Sequence, residues 1–126
     1  HQPAIKLWLT QRALQFRREN PELFRRGRYL PLFAAGGHTA HVCAFAREHQ
    51  RQMIVVAVPR LSYTLMGGRR ELPVGNIWEK TDLVLPPRAP AEFTNIFTGE
   101  QVRAGSNRSL LCRELFARLP FALLAG

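Results

Sequence analysis

The 126-residue sequence is poor in the residues that most enzymes use for acid–base and metal chemistry. Only nine residues are acidic, and Asp82 is the sole aspartate among them. General acid–base pairs need two carboxylates about 5 to 10 Å apart around the reacting bond, and no spacing here suggests one. Cysteine occurs twice, at Cys43 and Cys112, too few for a disulfide framework. Both lie in apolar stretches, so buried free thiols in a reducing, cytoplasmic compartment are expected. No Cys or His pairs are spaced for zinc; His38 and His41 flank a turn but have no third ligand. A glycine-rich phosphate loop and a serine nucleophile elbow are both missing. The sequence therefore nominates no catalytic residue, no metal ligand and no cofactor. No apolar run approaches the roughly 20 residues that span a bilayer, which argues against a membrane protein. The start lacks a signal-peptide pattern and an initiator Met, so a fragment or processed product is expected.

What is abundant is arginine. Eighteen basic residues against nine acidic ones leave a formal charge of +9. Such an excess raises nucleic acid or an anionic surface as a partner. The arginines are scattered singly or in pairs (Arg17-Arg18, Arg25-Arg26, Arg69-Arg70), which favours a solvated surface over one binding stripe. The hydrophobic fraction of 46% is ordinary for a folded domain and too high for disorder.

The pattern along the chain changes once. Residues 4–19 read as a helix, with Pro3 at its start and Asn20-Pro21 ending it. Ile5, Trp8, Leu9, Ala13 and Phe16 form its main apolar stripe, which puts Trp8 in the core. Arg12 lies inside that stripe and fits only by snorkelling. Leu7 and Leu14 lie nearly opposite, seven residues apart and so on one line of their own. A helix apolar on two faces belongs between two layers, so Leu7 and Leu14 are expected to face a missing neighbour.

After a short turn at 21–24 and a break at Gly27, strand character takes over. Candidate strands are 29–35, 41–47, 53–58, 81–85, 93–97, 101–103 and 121–125; residues 110–119 are ambiguous between strand and short helix. The polar stretch 48–52 suits a hairpin loop of intermediate length. The unbroken apolar run 53–58 predicts a central strand covered on both sides. Residues 59–80 read as a long irregular segment, in which Trp78 is a candidate exposed sugar contact. One helix followed by six to eight short strands predicts a mainly β fold, an antiparallel β-sandwich preceded by one N-terminal α-helix.

Several segments, in order, resemble one family. Ile5-Lys6-Leu7-Trp8-Leu9-Thr10-Gln11-Arg12 and Arg17-Arg18-Glu19-Asn20-Pro21-Glu22-Leu23-Phe24 are similar to the last barrel helix of the maltooligosyl trehalose synthases. Gly27-Arg28-Tyr29-Leu30-Pro31-Leu32, His41-Val42-Cys43-Ala44-Phe45-Ala46-Arg47 and Val58-Pro59-Arg60-Leu61 look like later segments of that family. So do Leu72-Pro73-Val74-Gly75-Asn76-Ile77-Trp78, Ile96-Phe97-Thr98-Gly99-Glu100 and the run from Leu115-Phe116 to Leu123-Leu124. The turn at 95–99 is of a type found across the α-amylase superfamily; the ordered combination is the specific signal.

The resemblance implies an amylase-type C-terminal domain. Residues 1–26 would be a terminal barrel-type helix and turn, and 27–126 the antiparallel β-domain. The parent enzyme would be an intramolecular transferase that turns the reducing-end α-1,4 bond of a maltooligosaccharide into an α,α-1,1 bond, in trehalose biosynthesis. Its chemistry would reside in a (β/α)8 barrel of about 250 residues, which this chain cannot contain. The family's catalytic residues have no matching position here. The implied partner is that barrel, and the fragment alone should be inactive. Two other functions compete: a carbohydrate-binding module using Trp78 and the 59–80 segment, and a small basic nucleic-acid-binding domain.

Overall fold

The computed structural model describes residues 3–37, 41–59, 75–78, 80–105, 107–119 and 121–126. The first element is α1 (Pro3–Glu19). Asn20 ends it: its side-chain amide donates to the Phe16 carbonyl at 2.9 Å and its backbone N–H to the Arg17 carbonyl. These bonds satisfy carbonyls that a helix end leaves orphaned. Pro21 then begins α2 (Pro21–Arg26), a short helix where the sequence suggests only a turn. Proline suits this first position, where its missing N–H costs nothing.

Gly27 stops α2 because the chain passes very close to its own last turn. A Cβ there would meet the Leu23 carbonyl oxygen at 2.0 Å. The Arg47 side chain donates to the carbonyls of Phe24 and Gly27, placing a cation at the negative end of the helix.

The rest of the described chain is antiparallel β. The strands are β1 (Arg28–Ala35), β2 (Val42–His49), β3 (Gln52–Pro59), β4 (Asp82–Val84), β5 (Glu92–Asn95), β6 (Gln101–Arg103), β7 (Ser109–Leu111) and β8 (Ala122–Ala125). They hydrogen-bond in the order β6-β5-β8-β3-β2-β1-β4-β7. The mainly β, antiparallel expectation holds, in one continuous and nearly closed eight-stranded sheet in which β1 passes from one ladder to the next. Its residues 28–32 pair with β2, and its residues 33–35 pair with β4. Pro31, which has no N–H for a ladder, falls in the stretch with a partner on one side only.

Two boundaries differ from the sequence expectation. The β2–β3 hairpin is tight: His49 pairs with Gln52, leaving Gln50 and Arg51 as the whole loop. Gln50 takes a φ of 57°, so the polar run 48–52 mostly continues the strands. The ambiguous run 110–119 is both things in turn, β7 followed by the one-turn helix α3 (Cys112–Leu115).

The core follows from β3. Its side chains alternate, with Met53, Val55 and Ala57 on one face and Ile54 and Val56 on the other. The first face meets Trp78, Leu83, Phe93, Leu110, Phe116 and Leu124 in the main core between the layers. The second meets Phe16 of α1, Leu23 of α2 and Leu123 of β8. The run 53–58 is thus a central strand covered on both sides, as its unbroken apolarity predicts. Three layers result: helices, the sheet around β3, and the smaller β4–β7 layer.

Leu124 sits at the centre of this packing, opposite Val55 on one side and Asn95 on the other. Leu124→Ala is expected to destabilise the fold by about 2 to 5 kcal/mol, read as a lower denaturant midpoint with unchanged slope.

Candidate functional site

The titratable side chains form no reactive constellation among the described residues. Glu22 pairs with Arg25 and Arg26, Glu48 with Arg28, Glu92 with Arg103, and Glu100 with Arg118. These carboxylates face guanidinium groups, not one another, and such exposed pairs contribute little stability. Asp82 accepts from the Ser109 hydroxyl at 3.4 Å through one oxygen, while its other oxygen is buried without a hydrogen-bond partner. Among the described residues no group of three or more His, Cys, Asp or Glu could hold a metal ion. His41 is half-buried just before β2, and His38 lies outside the described residues.

The cysteines part company. Cys112 is buried in the main core, and desolvation, reinforced by the nearby Asp82 charge, pushes its thiol up to about 12. Cys43 is exposed, contrary to the expectation that both are buried. It occupies an outward position of β2, and its apolar neighbours Val42 and Ala44 conceal that alternation in the sequence.

The two tryptophans also exchange their expected places. Trp78 ends a 3₁₀ turn (Gly75–Trp78) and is completely buried, its ring 4.9 Å from that of Phe116. It cannot stack on a sugar, which corrects the expectation of an exposed contact. The rest of the irregular segment, 60–74 and 79, lies outside the described residues. Trp8, expected in the core, is 42% exposed on the flank of α1. Its ring lies 6.3 Å from that of Phe97. Arg12 does not snorkel past the core but donates to the Ile96 carbonyl at 2.7 Å. Both contacts tie α1 to the turn after β5. That turn is rigid in itself: Asn95 accepts from the Phe97 N–H through its side chain and from Gly99 through its carbonyl.

An open cleft of about 490 Å³ beside the β2–β3 turn is lined by Arg26, Arg28, Arg51 and Arg88 along with His49 and Glu48. Among the described residues no Phe, Tyr or Trp lines it, so these offer none of the stacking platforms that single-stranded nucleic-acid sites use.

The outer side of α1 is different in kind. Phe16 and Ala13 seat the helix on the sheet, whereas Leu7 and Leu14 point away at 60% and 47% exposure. Two large apolar side chains thus stand on the far side of a seated helix. Fold and surface together define a mainly β domain carrying one helix layer.

No model of a known protein family matches the chain. Proteins from two strains of Mycobacterium tuberculosis that carry the maltooligosyl trehalose synthase name are 37% identical to it over 119 residues. That match takes in 94% of this chain but only 13% of those relatives. A solved structure of a point variant of the maltooligosyltrehalose synthase from Arthrobacter ramosus superposes with a TM-score of 0.72 at 28% identity. It covers 96% of this chain and 13% of that one. The chain is homologous to a C-terminal domain of maltooligosyl trehalose synthase, a small part of a much larger enzyme.

The two thiols give a direct check on the site description. Native protein at pH 8 should release one equivalent of pyridinethione from dithiodipyridine, through Cys43, and two equivalents once unfolded. The raised Cys112 value also carries a sign. Its stabilising contribution is complete below the ordinary thiol value of 9.0 and falls away as pH rises towards about 12. A Cys112→Ala variant should lose that alkaline dependence in equilibrium unfolding.

Proposed function

We propose that this chain is the structural C-terminal domain of a trehalose-forming enzyme and does not itself carry the reaction. The parent would be an intramolecular transferase of the α-amylase superfamily acting on maltooligosaccharides in the cytoplasm. It would rearrange the reducing-end α-1,4 bond to an α,α-1,1 bond. The reacting carboxylates would belong to a (β/α)8 barrel elsewhere in the parent, since each glutamate with a described ion pair here is matched to an arginine. Residues 1–26 would be the terminal helix and turn of that barrel's outer ring, and 27–126 the β-domain proper.

One observation carries this assignment: α1 is seated on the sheet by Phe16 and leaves Leu7 and Leu14 uncovered. An apolar line opposite the seated face suits a helix shared by two domains. Leu7 and Leu14 would then be barrel-facing contacts. A carbohydrate-binding role resting on Trp78 is not carried forward, because that ring is inside the core.

The test is a turnover assay of the purified 126-residue chain with maltohexaose, following loss of reducing ends. No turnover is expected, and formation of a trehalose-ended product by this chain alone would overturn the proposal. A second measurement addresses the helix. Leu14→Asp should change the stability of the 126-residue chain by no more than about 0.5 kcal/mol, as for other surface substitutions. In the complete parent the same substitution buries an unpaired charge, so its melting temperature should fall clearly.

A further inference from the structure

One end of the sheet gathers arginines from four parts of the chain. Arg26 closes α2 and Arg28 opens β1, with Gly27 between them. Gly27 passes so near the end of β2 that a Cβ on it would stand 3.4 Å from the Glu48 carbonyl oxygen. That approach carries both arginines to the same edge, where Arg28 is opposite Glu48 in the ladder. Arg51 belongs to the turn between β2 and β3. Arg88 arrives from the segment between β4 and β5, where the Ala89 N–H donates to the Pro86 carbonyl at 3.1 Å and closes a turn around it.

All four guanidinium groups line the open cleft of about 490 Å³. Glu48 is the one carboxylate among its described lining residues, and Arg28 holds it at 2.7 Å. Arg26 is bound at 3.0 Å to Glu22, which lies outside the cleft. Arg51 and Arg88 are exposed and have no carboxylate partner among the described residues. Two positive charges therefore stand uncompensated on one concave surface, and an anion between them would relieve their repulsion. The amides of Gln50 and Gln52 add hydrogen-bonding groups beside them.

We propose that this cleft binds a small phosphate-bearing anion, a pyrophosphate or a phosphorylated sugar, through Arg51 and Arg88 with Arg26 and Arg28 beside them. The ligand class follows from the lining. A guanidinium is a planar fork of donors that meets two oxygens of a phosphate at once, and every cation in the cleft is of this kind. An anion with several charged oxygens can engage both free arginines together, which one carboxylate cannot. The described lining offers no ring for a nucleobase to stack on, so recognition falls on the phosphate groups themselves. The volume lies within the range of small-ligand sites. None of this depends on the outer face of α1 or on the proposed function.

Isothermal titration calorimetry on the complete parent polypeptide, in chloride buffer near physiological salt, provides the test. Sodium pyrophosphate should bind with a dissociation constant below about 1 mM, and more weakly as salt is raised. Glucose 6-phosphate is the second probe, and unphosphorylated glucose should give no binding heat at this site. Tighter binding of pyrophosphate than of glucose 6-phosphate would identify the inorganic anion as the ligand, and the reverse order the sugar ester; either order supports the site. Arg51→Ala and Arg88→Ala should each weaken pyrophosphate binding about fivefold. The double variant should abolish it, while Arg113→Ala, outside the cleft, should leave it unchanged. Both cleft arginines are exposed, so the melting temperature of the ligand-free variants should stay that of the unsubstituted protein. Absence of pyrophosphate binding, or equal affinity in the double variant, would overturn the proposal. Tighter binding of a short DNA duplex than of either probe, lost in the same double variant, would also overturn it, in favour of a nucleic-acid surface.

Discussion

The double burial of β3 is the constraint from which the architecture follows. A strand apolar on both faces cannot end in water on either, because each exposed Ile or Val forfeits about 1.5 to 3 kcal/mol of burial. Met53, Val55 and Ala57 need one cover and Ile54 and Val56 another. The first cover is made within the β-structure, where β1 crosses from one ladder to the next and brings β4 and β7 over the sheet. The second cannot be made by strands already committed to the ladder. It comes from α1 and α2, and this is why a mainly β domain begins with helices.

That second cover is incomplete. The short helix α2 and the C-terminal half of α1 supply Phe16, Leu23 and Phe24, enough for Ile54 and Leu123. They do not extend across β1, so Tyr29 and Phe33 stay open. On the other side of α1, Leu7 and Leu14 stay open too. Glu22, Glu48, Glu92 and Glu100 are matched to arginines, Asp82 is not, and several large apolar side chains are left outside. The likeness to a small share of a maltooligosyl trehalose synthase agrees with that physical character.

Much of this was legible in the residues, and the failures share a cause. Asn20-Pro21 marks the end of α1 because a proline there forces a break and an asparagine can satisfy the last carbonyls. The run 53–58 marks the central strand because it does not alternate. Periodicity puts Trp8 on an inward helix face without saying how far its neighbour extends, and an irregular segment puts Trp78 outside without showing which ring closes over it. Phe97 reaches only one edge of Trp8, whereas Phe116, nearly forty positions further on, closes over Trp78. Cys43 was misplaced because alternation is invisible where inward and outward residues are all apolar. Arg12 in the apolar stripe looked anomalous until Ile96, brought near by folding, offered its carbonyl.

Local chemistry in the chain was enough for α1, most of the strands, the central strand and the scarcity of acid–base pairs, since each depends on near neighbours. Which tryptophan is covered, which thiol is inert and how far the helix layer reaches were settled by folding. Those outcomes depend on contacts between residues far apart in sequence, and their partners cannot be ranked until β1 has turned and the layers have closed.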